Sequence, residues 1–129
     1  MATRVLLVED NAVNQMVAES LLERRGFDVV VASNGREGVD AFQRERFDLV
    51  LMDIQMPEMD GFEALAAIRA IEEPTGRHTP VVALTAHALK EDRERCLAAG
   101  MDDYLSKPIE AAKLYETIRG VLDGPLTPA

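Results

Sequence analysis

Several apolar runs in this chain end in residues suited to phosphoryl chemistry. Val5-Leu6-Leu7-Val8 leads into Glu9-Asp10, and Leu49-Val50-Leu51-Met52 leads into Asp53. Val81-Val82-Ala83-Leu84 ends in Thr85, and Tyr104-Leu105-Ser106 precedes Lys107. If these runs are parallel strands, their polar ends gather at one rim of one sheet. Glu9, Asp10 and Asp53 then repel one another unless one takes a proton or a cation enters between them. Hard oxygen ligands with room for water suit Mg²⁺, with Mn²⁺ as a substitute. A carboxylate can attack phosphorus to give an acyl phosphate, and phosphoryl transfer then asks mainly for positioning and charge neutralisation. Asp53 is placed for the attack, Lys107 brings a compact positive charge from the other side, and Thr85 offers a hydroxyl to a phosphoryl oxygen. The competing reading makes these acids helix N-terminal caps. It suits Asp53 poorly, because a long polar turn, Asp53 to Asp60, follows it instead of a helix.

A phosphatase that works through a phosphoaspartate needs a general acid for its leaving group. In haloacid-dehalogenase-type enzymes that acid stands two residues after the nucleophile, and here the position is Gln55, which cannot donate a proton as an acid does. The site therefore suits donors with a good leaving group of their own, such as a phosphohistidine or an acyl phosphate. No separate substrate turnover is expected, so the chain is not read as an enzyme in the usual sense.

The elements that must position these groups are legible as alternating periodicities. Strands are expected at Arg4–Val8, Asp28–Ala32, Asp48–Met52, Pro80–Leu84 and Asp103–Leu105. Asn11 is the expected N-cap of a first helix that turns Val13, Met16, Val17, Leu21 and Leu22 inward, and Gly26 its terminator. Later helices carry Val39 and Phe42, then Leu65 and Ile68, then a segment from about Ala88 to Ala98 ending at Gly100. The last places Leu114, Ile118, Val121 and Leu122 at i, i+4, i+7 and i+8. Five βα units with right-handed crossovers give an α/β fold: a doubly wound, five-stranded parallel sheet whose functional rim lies at the strands' carboxyl ends.

Composition limits the function classes. A chain of 129 residues with 47% hydrophobic residues is one packed domain, expected to span residues 1–123 with 124–129 as a tail or linker stub. Fourteen basic against 23 acidic residues give a net charge of −9, which disfavours nucleic acid and favours cations and basic partner patches. The single cysteine, Cys96, points to a reducing, cytoplasmic setting and reads as a small packing residue. No apolar run approaches the roughly 20 residues of a membrane span, so no membrane insertion is expected.

The motifs together resemble the receiver domain of two-component response regulators. They are Leu7-Val8-Glu9-Asp10-Asn11, Met52-Asp53-Ile54-Gln55-Met56-Pro57-Glu58-Met59-Asp60-Gly61, Ala83-Leu84-Thr85-Ala86 and Tyr104-Leu105-Ser106-Lys107-Pro108. The likeness runs from about residue 4 to 122 and implies a flavodoxin-like sheet of strand order 2-1-3-4-5. It also implies Asp53 as phosphoacceptor, Mg²⁺ on Glu9, Asp10, Asp53 and the Gln55 backbone carbonyl, and Thr85 and Lys107 on the phosphoryl group. Lys107-Pro108 would be a cis peptide. Thr85 and Tyr104 would form a switch, with the small Ala86 leaving room for Thr85 to move; the plain alternative for Tyr104 is a ring that simply packs. Gln55 and His87 would tune phosphate lifetime, although His87 reads equally well as a solvated residue at a helix start.

Asn14-Gln15, His87-Ala88 and Ala99-Gly100-Met101-Asp102-Asp103 extend the likeness to receivers of hybrid histidine kinases. That implies a histidine kinase or a histidine phosphotransfer protein as partner, docking on the exposed side of the first helix, which includes Asn14 and Gln15 and on sequence alone reads as polar surface. The output would be a change in the face made by the fourth helix, fifth strand and fifth helix. Ala111 to Val121 lacks the charged pattern of dimerising regulators, which points to a monomer. A receiver-like module that binds protein without being phosphorylated is the alternative. His78 reads as a loop residue with no partner of interest in the sequence, Arg93 and Arg95 as a solvated helix face, and Met56 and Met59 as packing beside Pro57.

Overall fold

The computed structural model describes residues 3–56, 59–86 and 90–123. Along the chain run β1 (Arg4–Val8), α1 (Ala12–Arg24), β2 (Asp28–Ala32), α2 (Gly35–Arg44), β3 (Leu49–Asp53) and α3 (Gly61–Glu72). A 3₁₀ turn at Glu73–Thr75 precedes β4 (Val81–Thr85), α4 (Lys90–Ala99), β5 (Asp103–Ser106) and α5 (Ala111–Asp123). All strands pair in parallel in the order β2-β1-β3-β4-β5, the expected doubly wound topology. Chain direction across the sheet reverses between β1 and β3, and that switch point opens the crevice where such sheets bind ligands.

Alternation along the strands splits the core in two. Val5 and Leu7 of β1 point with Leu49, Leu51, Val82 and Leu84 toward Ala18 and Leu22 of α1 and Leu114 and Ile118 of α5. Leu6 and Val8 point with Val50, Met52, Val81 and Ala83 toward Ala41, Ala64, Leu65, Ile68 and Cys96 on α2, α3 and α4. Every residue of β3 and β4 is buried, as expected of central strands covered on both faces.

Three strand boundaries differ from the sequence reading, each by one residue. β3 begins at Leu49 and includes Asp53, β4 runs Val81–Thr85, and β5 reaches Ser106. Pro80 has no N–H to give the ladder, though its carbonyl accepts from Val50 N at 2.9 Å. At the other end Thr85 pairs with Ser106, so Thr85 sits inside the ladder.

The inward face of α1 also differs. Ala18 and Leu22 are the buried residues, whereas Val13, Met16 and Val17 are 67%, 69% and 42% exposed. The helix is rotated by its own polar anchors. Asn11 Oδ1 caps it by accepting from Val13 N and Asn14 N at 2.9 and 3.0 Å. Gln15, a turn further on, bonds into the loop after β1. Asn11, Gln15, Ala18 and Leu22 then share one stripe at spacings of four, three and four, which is a helix face. At the far end Tyr115 of α5 donates its hydroxyl to Leu21 O at 2.7 Å and carries the Arg25 guanidinium 4.0 Å above its ring.

α3 starts hard against the end of β3. Asp60 and Glu63 form a reciprocal capping box. A Cβ at Gly61 would stand 2.6 Å from Ile54 Cα and 2.7 Å from Asp53 O. Gly120, in α5, has nothing within 4 Å of such an atom. In urea unfolding, Gly61→Ala should cost about 1–3 kcal/mol through backbone overlap, while Gly120→Ala should stabilise by roughly 0.5–1 kcal/mol through helix propensity. Equal effects at the two positions would contradict the tight approach at Gly61.

Candidate functional site

The register of the sheet brings the acidic residues together. Val8 pairs with Met52, so Glu9, one residue past β1, stands beside Asp53, the last residue of β3. Glu9 stays in line because its N–H donates to Ala32 O at 3.0 Å. Both side chains are buried, at 0% and 1% exposure, while Asp10 is exposed. Ligand oxygens of Glu9, Asp10 and Asp53 all lie within 4.8 Å of one another.

The two buried carboxylates are held alike. Asp53 Oδ1 accepts from Gln55 N, and Glu9 Oε2 accepts from Asn11 N, both at 3.0 Å. Their remaining oxygens, Asp53 Oδ2 and Glu9 Oε1, each lie 3.0 Å from Lys107 Nζ. Those contacts are Coulombic: neither oxygen has a hydrogen bond of good geometry, although both are fully buried. Lys107 is itself fixed through its backbone, donating to Thr85 O at 2.8 Å, and its peptide to Pro108 is cis.

Burial is the largest influence on Asp53 and pushes its carboxyl up from 3.8 to about 6. The Gln55 amide and Lys107 pull it down, and Glu9 adds repulsion. For Lys107, burial works against the charge, yet Asp53 and Glu9 outweigh it and hold the ammonium above its usual range. Three carboxylates against one ammonium leave an excess of negative charge. Hard oxygens, two of them buried without a hydrogen bond, fit a divalent cation of the Mg²⁺ type.

The structure gathers Glu9, Asp10, Asp53, Thr85 and Lys107 at one rim. Gln55 lies beside them with its side chain exposed and its N–H on Asp53. Tyr104 pairs with Ala83 in the ladder and packs half-buried on the α2–α4 side of the core. His87 lies outside the described residues, as do Pro57, Glu58, the expected helix start at Ala88 and the tail 124–129.

Three readings of isolated residues need correction. Arg93 and Arg95 are not merely solvated: their guanidinium groups lie 4.9 Å over the Tyr104 ring and 4.4 Å over the Phe62 ring. Arg95 also lines, with Gln55, Asp60, Phe62 and Thr85, a cleft of about 410 Å³ beside the site. His78 does have a partner, Asp102, at 2.8 Å. Asp102 further accepts from Val81 N and from Arg69, which also reaches Glu72, Thr79 O and Gly100 O. Burial would raise the Glu72 carboxyl, but hydrogen bonds from Thr79 and Arg69 prevail and hold it below the usual range. This network closes the opposite end of β4 and β5. Gln15, taken from sequence as polar surface, instead donates to Glu9 O at 2.6 Å and to Ser33 Oγ at 3.2 Å. Its spacing of four from the Asn11 cap was the available signal.

The family model of the response regulator receiver domain matches residues 5–119. This chain belongs to that family. Receiver domains are signalling modules of two-component phosphorelays. Among curated relatives, the chain is 46% identical over 120 residues to hybrid signal transduction histidine kinase I of Dictyostelium discoideum, covering 89% of this chain and 7% of that protein. It is 48% identical over 118 residues to the sensor protein GacS of Pseudomonas syringae pv. syringae, covering 91% of this chain and 13% of that one. The chain thus spans about a tenth of the length of the kinases it resembles. The receiver domain of sensor histidine kinase PA1611 from Pseudomonas aeruginosa, solved with a magnesium ion in its active-site cleft, superposes with a TM-score of 0.82 at 45% identity. That match covers 92% of this chain and 96% of the other. The receiver domain of Ssk1 from Saccharomyces cerevisiae, solved with the histidine phosphotransfer protein Ypd1, superposes at 0.84 with 34% identity, covering 92% and 87%. Among the described residues of this receiver, no helix is long and apolar enough to cross a membrane.

The raised Asp53 carboxyl gives a pH-dependent prediction. Its contribution to stability is complete below 3.8 and is lost as pH rises through about 6. Folding with Asp53 ionised therefore costs on the order of 3 kcal/mol in the absence of metal. In chelator, Asp53→Asn should unfold at higher urea than the parent at pH 8, with the gap closing between pH 6 and 4. A gap independent of pH, or of opposite sign, contradicts this electrostatic account.

Proposed function

We propose that this receiver domain accepts a phosphoryl group on Asp53 from a partner phosphohistidine, in a reaction that depends on Mg²⁺. One observation carries the reading: Asp53 is sealed in the rim between Glu9 and Lys107 with an oxygen that lacks a hydrogen bond. An Asp53 carboxylate oxygen attacks phosphorus, the bond from phosphorus to imidazole nitrogen breaks, and its electron pair stays on the imidazole. Glu9, Asp10, Asp53 and the Gln55 carbonyl would hold the Mg²⁺, or Mn²⁺ in its place. The ion supplies charge neutralisation at the phosphoryl oxygens. Lys107 adds a fixed positive charge, and Thr85 offers its hydroxyl from the end of β4. Gln55, whose amide cannot act as an acid, and His87 are the positions that would set phosphate lifetime.

The docking face is the exposed side of α1. Val13, Met16 and Val17 present apolar surface on the helix that begins directly after Glu9-Asp10-Asn11. A helix carrying phosphohistidine can bury that surface while bringing its imidazole to Asp53. The Ssk1 relative, solved with a histidine phosphotransfer protein, supports a partner of that kind, whether the histidine belongs to a kinase or to a phosphotransfer protein. On the output side, Thr85 moving toward the phosphoryl group would draw Tyr104 inward and change the α4–β5–α5 face. Arg93, stacked on Tyr104, would have to follow. The unit acts as a monomeric domain over residues 1–123, in the cytoplasm.

With Mg²⁺ and a small acyl phosphate, intact mass should show one phosphoryl adduct that is lost in chelator and absent from Asp53→Asn. No adduct on the parent, with beryllofluoride also failing to bind, would leave a protein-binding module instead. Met16→Glu should slow transfer from a phosphorylated histidine phosphotransfer protein by about tenfold, roughly 1.4 kcal/mol, and leave labelling by acyl phosphate unchanged. Equal loss with both donors would place the defect in the fold and not in docking.

A further inference from the structure

We propose that Gln15 is a positioning residue for the cation site, acting through the backbone of the acidic turn. Its side-chain amide donates one hydrogen to Glu9 O at 2.6 Å and the other to Ser33 Oγ at 3.2 Å. The first bond satisfies a carbonyl belonging to a fully buried residue, a group that is costly to leave without a partner. It also fixes a plane. The Glu9 carbonyl and the Asp10 N–H belong to one rigid peptide unit, so holding that oxygen sets the direction in which Asp10 leaves the chain.

Asp10 needs such help. Glu9 and Asp53 are each oriented by a backbone N–H two residues further on, at 3.0 Å. Among the described residues, no hydrogen bond orients the Asp10 carboxylate, which is exposed. Its place in the acidic triad therefore depends on the backbone that Gln15 holds.

The second bond anchors Gln15 to a stiff part of the molecule. Ser33 N donates to Glu37 Oε1 at 3.0 Å, and Asn34 Oδ1 accepts from Glu37 N at 2.9 Å, so Ser33 sits in the N-terminal cap of α2. α2 in turn packs closely on β1, where a Cβ at Gly38 would meet Val8 Cγ2 at 2.7 Å. Gln15 thus ties the exposed end of the site, Asp10, to the cap of a helix packed closely on the sheet. Groups that orient metal ligands without touching the metal commonly matter by about 10- to 100-fold in affinity.

The proposal rests on Mg²⁺ binding at Glu9, Asp10 and Asp53, and the test separates the two claims. Mg²⁺ alone is titrated into the unphosphorylated chain, followed by calorimetry and by the amide NMR signals of Asp10 and Gln55. The variants are Gln15→Met, which keeps the length and removes the donors, and Gln15→Glu, which adds a negative charge but turns acceptors toward the carbonyl. Both should bind Mg²⁺ about tenfold more weakly than the parent, with the Asp10 signal shifted or broadened before metal is added. A purely electrostatic role predicts tighter binding by Gln15→Glu, and that result would overturn the proposal. So would a Gln15→Met chain that is less stable in urea but binds Mg²⁺ like the parent. A parent chain that takes up no Mg²⁺ overturns the metal site itself and this proposal with it.

Discussion

Two buried carboxylates, Glu9 and Asp53, are forced side by side by the pairing of β1 with β3, and the rest of the site answers to that repulsion. The strands cannot relax it, because every residue of β3 is buried and the ladder sets the spacing between neighbours. Lys107 offsets part of it with one ammonium shared between two oxygens at 3.0 Å. Backbone amides of Asn11 and Gln55 take the other two. What remains is a carboxyl lifted to about 6 and a demand for further positive charge. A rigid frame that stores unfavourable electrostatics at one rim favours an added cation there.

The surroundings divide into stiff and adjustable parts. On the stiff side, α3 begins with a capping box pressed on the backbone of Asp53 and Ile54, and Arg69 with Asp102 and Glu72 ties α3 to β4 and β5 at the opposite end. Such a network, partly buried and hydrogen-bonded on several sides, holds the rim of the sheet opposite the acidic cluster. On the adjustable side, α4 adds to its buried Cys96 two guanidinium groups laid on the rings of Tyr104 and Phe62. Those contacts are weakly directional and partly solvated, so they can be exchanged at small cost.

Much of the molecule was legible in the sequence. Each strand appeared as a short, largely apolar run bounded by turn residues, and the polar residues after four of them suggested the chemistry. The cap at Asn11, and glycines at Gly26 and Gly100 with φ of 81° and 108°, marked helix ends where they were expected. The rotation of α1 was less legible. Val13, Met16 and Val17 look like an inward stripe by type, yet the helix buries Ala18 and Leu22 and turns the larger apolar residues out. Periodicity sees residue type, whereas rotation was fixed by hydrogen bonds from Asn11 and Gln15 into the loop. Arg93, Arg95 and His78 were misread for a similar reason: their partners, Tyr104, Phe62 and Asp102, lie on other elements and leave no local mark.

The sequence by itself determined the alternation of strands and helices, the parallel topology and the candidate reactive groups. These follow from local propensity and from chemistry that only certain side chains possess. Tertiary structure alone decided which carboxylate oxygens face Lys107, that Gln15 holds the acidic turn, and which face of α1 is open to a partner. Those outcomes depend on distances between elements far apart in the chain, and a one-dimensional pattern carries no distances.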